Sequence, residues 1–400
     1  MLNEQFYRMR VRFLELMVSK LEFGSLDITL PDGKKISVKG PQPGPAADMQ
    51  LHDRAAVVAL VSEGKMGFFE AYMAGQASSS DTTALIELAV MHLDYLESKL
   101  KLGPLKAIFN KIQHWMNQNS KSGSKKNISY HYDLGNPFYE TWLDPSMTYS
   151  SAVYADEQTC LQDAQTEKYK RLADLAEIQP GDRVLEIGCG WGGFAEYAAS
   201  QRGAHVTGIT ISKEQYDYCN ERLERAQLSQ MTDIQLTDYR DLTQKFDKIV
   251  SIEMFEAVGE KYWPVYFDKL SQSLKEGGKA ALQVITIDDS QFDSYRATPD
   301  FIQKYIFPGG MLPSMSALEA PLQQSGLELT TANGYGLHYA RTLAEWRDRF
   351  LAAWPELSQT TSFDERFKRM WELYLSYCEG GFKRGLIDVK QMLITHRGHA

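Results

Sequence analysis

Cysteine is scarce and unpatterned in this 400-residue chain: Cys160, Cys189, Cys219 and Cys378 form no CxxC pair and no set spaced with histidine. Neither a disulfide framework nor a metal site is implied, and a reducing cytoplasm is the expected setting. No apolar run approaches the about 18 residues of a membrane-crossing helix. Glu4, Arg8, Arg10, Arg12, Glu15 and Lys20 interrupt the first 23 residues, which excludes the apolar core of a secretory leader there. A basic excess is missing too: 43 Lys and Arg against 52 Asp and Glu give a net charge of −9. Nucleic acid is therefore not an expected partner, and attraction to anionic lipid requires a local basic patch. The composition that remains, 43% hydrophobic and 24% charged, is that of a globular protein long enough for two domains.

One such patch is present. Between Ser98 and Asn127 stand seven lysines and no acidic residue. Within it Leu105, Ile108, Phe109, Ile112, Trp115 and Met116 recur at helical spacing behind Pro104, a favoured helix starter. The pattern predicts a cationic amphipathic helix and a flexible connection over residues 101–126. Two readings stay open for it: a linker helix packed on a neighbouring domain, or a surface anchor for anionic phospholipid. Residues 1–100 read as a small mixed α+β domain, either a scaffold or a module that docks lipid or a partner. Its expected elements are a helix over 3–20, strands 26–30 and 35–38 joined across Asp32-Gly33, and helices 54–61 and 82–98. Residues 127–400 form the third part. There short apolar runs alternate with helical patterns, the signature of an open α/β sheet. Strands are expected at 183–187, 205–209, 233–236, 248–252 and 279–285, with two more at 327–332 and 388–394.

The first of these strands runs into a glycine-rich turn, Val184-Leu185-Glu186-Ile187-Gly188-Cys189-Gly190-Trp191-Gly192-Gly193. Ligands of open sheets bind at the carboxyl ends of strands, where glycine lets the backbone come close to them. The spacing is GxGxGG rather than GxGxxG, there is no Walker lysine, and Glu186 precedes the turn by two residues. This version resembles motif I of class I methyltransferases, which hold the methionine part of S-adenosylmethionine over the turn. The fold so implied is α/β, a Rossmann-like seven-stranded sheet. Many methyltransferases hold the ribose with an acid after the second strand, and here that acid is absent. Gly208-Ile209-Thr210-Ile211-Ser212 and Gln215 stand in its place, leaving Thr210 and Gln215 to supply neutral hydrogen bonds instead. Tyr239 and Arg240, after the third strand, are placed to meet the adenine.

Four further stretches stand in order around that turn: Tyr130-His131-Tyr132-Asp133-Leu134-Gly135-Asn136, Asp144-Pro145-Ser146-Met147-Thr148-Tyr149-Ser150-Ser151-Ala152, Phe255-Glu256-Ala257-Val258-Gly259 and Tyr305-Ile306-Phe307-Pro308-Gly309-Gly310. From about Asn127 onward the chain resembles the cyclopropane-fatty-acid synthase family, which includes mycolic-acid cyclopropane synthases and fatty-acid methyltransferases. The resemblance implies cofactor contacts at Tyr149, Ser150, Glu186, Gly188, Gly190, Thr210, Ile211, Gln215, Tyr239 and Arg240. It also implies a bound bicarbonate held by Glu256, Tyr339 and the positions of Ser151 and Gln283, with Ile285 in the same site. Two of these depart from the commonest pattern, which has Cys at 151 and His at 283. A homodimer is a further implication of the resemblance.

The chemistry implied is methyl transfer to the cis double bond of an unsaturated phospholipid acyl chain. It leaves a carbocation that water would trap unless the pocket is dry. Aromatic faces stabilise such a cation without attacking it, and a base must remove a proton from the new methyl group to close a cyclopropane. Bicarbonate is the expected base. Ser151 would keep the ion through its backbone N–H, whereas Gln283 cannot titrate as His can. If the proton leaves elsewhere, or a hydride shifts first, the product is a methyl-branched or methylene chain. A methyltransferase for a soluble metabolite and a non-catalytic lipid-binding protein are the competing readings. His131 reads as a hydrogen-bonded lid residue and Glu253 as a strand-end acid. The stripe Phe367, Met370, Trp371 and Tyr374 reads as core, and residues 305–313 as a candidate acyl-tunnel wall. The phospholipid surface is the expected partner, with the protein peripheral to the inner face of the membrane.

Overall fold

The computed structural model describes residues 2–93, 95–96 and 134–398, which fall into two units. The first contains the described residues up to 96 together with Trp346–Leu386. Its opening helix, Leu2–Val18, buries Tyr7, Val11, Leu14 and Met17 and leaves Phe6, Met9, Phe13 and Leu16 exposed as a second apolar stripe. The Asp32-Gly33 turn joins β1 (Phe23–Thr29) to β2 (Lys35–Lys39) in antiparallel register, as the turn signal implies. Strand β3 (Gln42–Leu51) was not expected, because Pro43-Gly44-Pro45 reads as a loop; it pairs in parallel with β1, and the register slips at this Pro-Gly-Pro segment, where fewer ladder N–H groups are needed. Ala77–Ser78 adds β4 to give the order β2-β1-β3-β4. Helices Arg54–Met73 and Thr82–Met91 start on side-chain caps from Asp53 and Asp81.

This unit is completed from the far end of the chain. Helix Glu365–Lys383 brings Gly380 so close to Ile86 that a Cβ there would stand 2.7 Å from its Cγ2. The adjoining Glu379 is buried and accepts from Thr83 at 2.9 Å, from Lys383 at 2.7 Å and from Arg347. The expected unbroken catalytic domain over 127–400 is thereby corrected: 346–386 belong with the N-terminal elements. Helical spacing identified Trp371 and Tyr374 as core, and they are buried, but a period does not say which core receives them. The basic helix and connection over 101–126 and Tyr130-His131-Tyr132-Asp133 lie outside the described residues.

The second unit contains residues 134–345 and 387–398. All seven expected strands form: β5 (Arg183–Ile187), β6 (His205–Thr210), β7 (Thr232–Leu236), β8 (Phe246–Ile252), β9 (Leu274–Ile287), β10 (Leu327–Gly334) and β11 (Ile387–His396). They form one sheet in the order β10-β11-β9-β8-β5-β6-β7. The five strands β5 to β9 run parallel, while β11 is antiparallel to both β9 and β10. Both faces of the sheet are covered. Leu185, Ile249 and Leu282 enter one apolar cluster, and their neighbours Val184, Val250 and Ala281 enter the other, which is why these strands read as continuous apolar runs. The Gly277-Gly278 pair lies within β9 where its pairing with β8 is irregular. From β5 the chain first builds outward to β6 and β7, then crosses back to β8. The carboxyl ends of β5 and β8 therefore flank the switch point at which open α/β sheets bind ligands.

Candidate active site

At the end of β5 three glycines hold left-handed backbone: Gly188 (φ 82°), Gly190 (φ 52°) and Gly192 (φ 84°). A Cβ on Gly188 would meet Met254 at 2.7 Å and one on Gly192 would meet Cys219 at 2.5 Å, whereas one on Gly190 would meet no described atom within 4 Å. The first and third glycines close the turn onto its neighbours, and the second leaves room above it. Glu186 is buried beside this turn, its Oε2 without a hydrogen-bond partner among the described residues, and burial pushes its carboxyl well up. After β6, Thr210 donates to Gln215 Oε1 at 3.0 Å, and Ser212 caps the helix that carries Gln215. Ile211 lies between them in the same strand-to-helix link. After β7, Asp238 grips Arg240 through two hydrogen bonds at 2.8 and 2.6 Å, with the guanidinium 5.3 Å from the Tyr239 ring centre.

The segment 136–151 supplies the next wall. Tyr149 packs on Tyr139 and Trp142, and Tyr139 on Trp191 of the glycine turn, with ring centres 5.1–5.5 Å apart. Trp191 donates to Asn136 at 2.8 Å. Ser150 is held by the wholly buried Lys168, whose Nζ donates to Ser150 Oγ at 2.6 Å and to Gln165 Oε1 at 2.7 Å. Burial lowers the Lys168 ammonium to about 7, against the opposing pull of Glu253, Asp144 and Glu186.

The third component lies just past β8. Glu253 takes φ 50°, a left-handed conformation unusual for a residue with a side chain, and turns its carboxylate inward. Its Oε1 accepts from the Ser151 backbone N–H at 2.8 Å and from Gln283 Nε2 at 2.8 Å, and its Oε2 accepts from the Tyr339 hydroxyl at 2.7 Å. Gln283 is oriented in turn, because Gln391 donates to its Oε1 at 3.0 Å. Three residues on, Glu256 accepts through Oε1 from the Ile285 backbone N–H, and its Oε2 is buried without a partner among the described residues. Burial, with Glu253 beside it, pushes Glu256 up to about 8, while burial raises Glu253 against the three donors and Lys168 that favour its charge. Two buried carboxyls this close do not both ionise at neutral pH. Glu253, with three donors, keeps the charge; Glu256, with one, keeps the proton.

The sequence pattern of the mycolic acid cyclopropane synthetase family matches residues 119–392. This chain belongs to that family. It is 38% identical over 382 residues to the tuberculostearic acid methyltransferase UfaA1 of Mycobacterium tuberculosis, covering 93% of this chain and 88% of the relative. It is 35% identical over 372 residues to the cyclopropane-fatty-acyl-phospholipid synthase of Escherichia coli, covering 90% of each. The solved cyclopropane synthase MmaA2 from M. tuberculosis superposes with a TM-score of 0.63 at 29% identity, over 68% of this chain and 97% of that one. The mycolic acid cyclopropane synthase CmaA1, solved with S-adenosylhomocysteine and CTAB, gives the same values. As a member of the family the chain is an S-adenosylmethionine-dependent methyltransferase.

For a family member the glycine turn fits its cofactor. The open space over Gly190 and the unpartnered Glu186 Oε2 beside it suit a methionine backbone with its ammonium. When bound, S-adenosylmethionine supplies the sulfonium methyl. Of the residues that the family resemblance assigns to the cofactor, Thr210, Ile211 and Gln215 stand at and after the end of β6, Tyr239 and Arg240 follow β7, and Tyr149 and Ser150 lie on the segment 136–151. The bicarbonate expected from the family resemblance does not fit this chain. The Ser151 N–H, Gln283 and Tyr339 all point at Glu253, so a carboxylate of the chain occupies the donors assigned to the ion. A second anion there would stand against the charged Glu253. The sequence pattern marks Glu253 only as a strand-end acid and assigns no role to Lys168 or Gln391. A signal for Lys168 was present: helical spacing sets it on the buried face with Leu161, Ala164, Gln165 and Leu172.

Proposed function

We propose that this enzyme transfers the methyl carbon of S-adenosylmethionine to the cis double bond of an unsaturated phospholipid acyl chain, with a cyclopropane fatty acid as product. One observation carries the reading: a buried, charge-bearing carboxylate set just past β8, adjoining the glycine turn through Met254. An alkene is a weak nucleophile, and its methylation leaves a cation that needs a dry anionic environment and a proton acceptor. The buried glutamates and the Tyr139, Trp142 and Tyr149 cluster meet those needs in a way that methylation of an ordinary amine or hydroxyl does not require. The exposed stripe Phe6, Met9, Phe13 and Leu16, on a helix that also carries Arg8, Arg10 and Arg12, supports a phospholipid surface as the partner. No helix among the described residues is long and apolar enough to cross a membrane, so surface contact is the mode proposed.

A second product is favoured by a specific feature. Gln283 replaces the common histidine and its amide is committed to Glu253, so the proton-handling groups differ from the usual set. A methylene or methyl-branched chain is the reading this supports, and the similarity to a tuberculostearic acid methyltransferase adds to it. The test is incubation with methyl-labelled S-adenosylmethionine and vesicles of unsaturated phospholipid, followed by mass spectrometry of the fatty acids. Label in a cyclopropane ring supports the first product, and label in a branch the second. Absence of label from the lipid overturns the phospholipid reading in favour of a soluble or carrier-bound substrate.

A further inference from the structure

We infer that Glu253 is a built-in replacement for the family's bicarbonate: its carboxylate is the anion that faces the substrate cation and takes the proton released when the product forms. The inference rests on the alkene-methylation reading above. Its basis is the coincidence of partners. The backbone N–H of Ser151, the amide of Gln283 and the hydroxyl of Tyr339 come from three separate segments, and all three donate to this one side chain. Such convergent donors fix a carboxylate in place and keep it charged despite burial. The backbone adds a second observation. At φ 50° position 253 suits glycine, and a glutamate there holds a backbone conformation that residues with side chains rarely adopt, a strain that functional positions commonly retain. The replacement is also self-consistent: glutamate at 253 brings its own negative charge, and glutamine at 283 supplies an N–H donor without a titrating group of its own.

The reaction balances without any further reagent. The alkene π pair forms the new carbon–carbon bond to the methyl, and the sulfur–carbon pair returns to sulfur. One C–H pair of the transferred methyl then closes onto the neighbouring cationic carbon, giving the ring, and the proton passes to Glu253. For the branched outcome a hydride first moves from the methylated carbon to its neighbour. The same C–H pair then becomes the second bond of a methylene group, and the proton again passes to Glu253. Burial makes Glu253 a better proton acceptor than an exposed carboxylate, in the direction this step needs.

The experiment compares wild type with Glu253→Gln and Glu253→Gly, the latter compatible with the left-handed backbone. Binding of 13C-labelled bicarbonate, followed by NMR with S-adenosylhomocysteine present, needs no lipid. Wild type is expected not to bind it, and Glu253→Gly to bind it at millimolar concentration. Binding by wild type, or failure of Glu253→Gly to bind, overturns the inference. In the lipid assay wild-type turnover is expected to stay within about twofold in carbon-dioxide-free buffer. Glu253→Gln is expected to lose at least about 100-fold in turnover with S-adenosylhomocysteine affinity retained, and bicarbonate or formate, unlike chloride, to restore Glu253→Gly at least about tenfold. A wild type that stops without bicarbonate, or a Glu253→Gln variant at full rate, overturns the inference alone. A wild type that methylates no lipid overturns the functional reading, and the binding measurement still decides what occupies the site.

Discussion

Glu253 and Glu256 are chemically identical side chains three residues apart, and their surroundings assign them opposite protonation states. Glu256 keeps its proton up to about pH 8 in the folded protein, against an ordinary value of 4.5. Between those values the folded state binds more protons than the unfolded chain, so this group makes stability fall as pH rises through the window, with no further loss above it. Glu256→Gln, which mimics the neutral form, is expected to flatten the decline of melting temperature between roughly pH 5 and 8. Calorimetry across that range checks it, and an unchanged slope would assign the proton to another group. Lys168 follows the complementary logic. Its lowered value of about 7 means that the folded state releases a proton the unfolded chain keeps, and this contribution rises with pH from about 7 toward 10.5. At this scale the sequence named the donors Ser151, Gln283 and Tyr339 but not what they hold. Only packing reveals that an acid adjacent to a strand end turns inward.

The elements that matter most are the turn after β5 and the link after β8. In the turn the three glycines have separable duties. Gly192→Ala puts a Cβ against Cys219 at left-handed φ, so a large fall in melting temperature is expected. Gly190→Ala meets no described atom, so its stability cost is limited to the backbone term of about 1–2 kcal/mol. Its expected defect is in the cofactor: affinity for S-adenosylmethionine falls at least about tenfold, measured by titration calorimetry, because the methyl projects into the space above the turn. Full affinity in Gly190→Ala would move the cofactor away from that turn. The sequence was most legible at this scale. All seven strands of the large sheet were expected from apolar runs and turn residues, since a strand covered on both faces leaves an uninterrupted signal. β3 escaped notice because Pro43-Gly44-Pro45 hid a strand behind loop chemistry.

For the whole molecule, the first unit is the part whose boundaries depend on the complete chain. Residues 1–96 alone lack Gly380 against Ile86 and the Glu379 cluster that ties Thr83 to Arg347 and Lys383. That fragment is expected to show no cooperative thermal transition by circular dichroism, and one that melts cooperatively would make 346–386 dispensable. By itself the sequence determined the α/β sheet, the glycine turn, the cofactor class and the family, because these are written in local periodicity and in motifs whose residues are neighbours in the chain. The tertiary structure alone decided that residues 346–386 complete the N-terminal unit and that Glu253, rather than an external ion, receives the donors of Ser151, Gln283 and Tyr339. Both depend on contacts between residues far apart in sequence, where burial and hydrogen-bond geometry set the outcome and no local pattern records it.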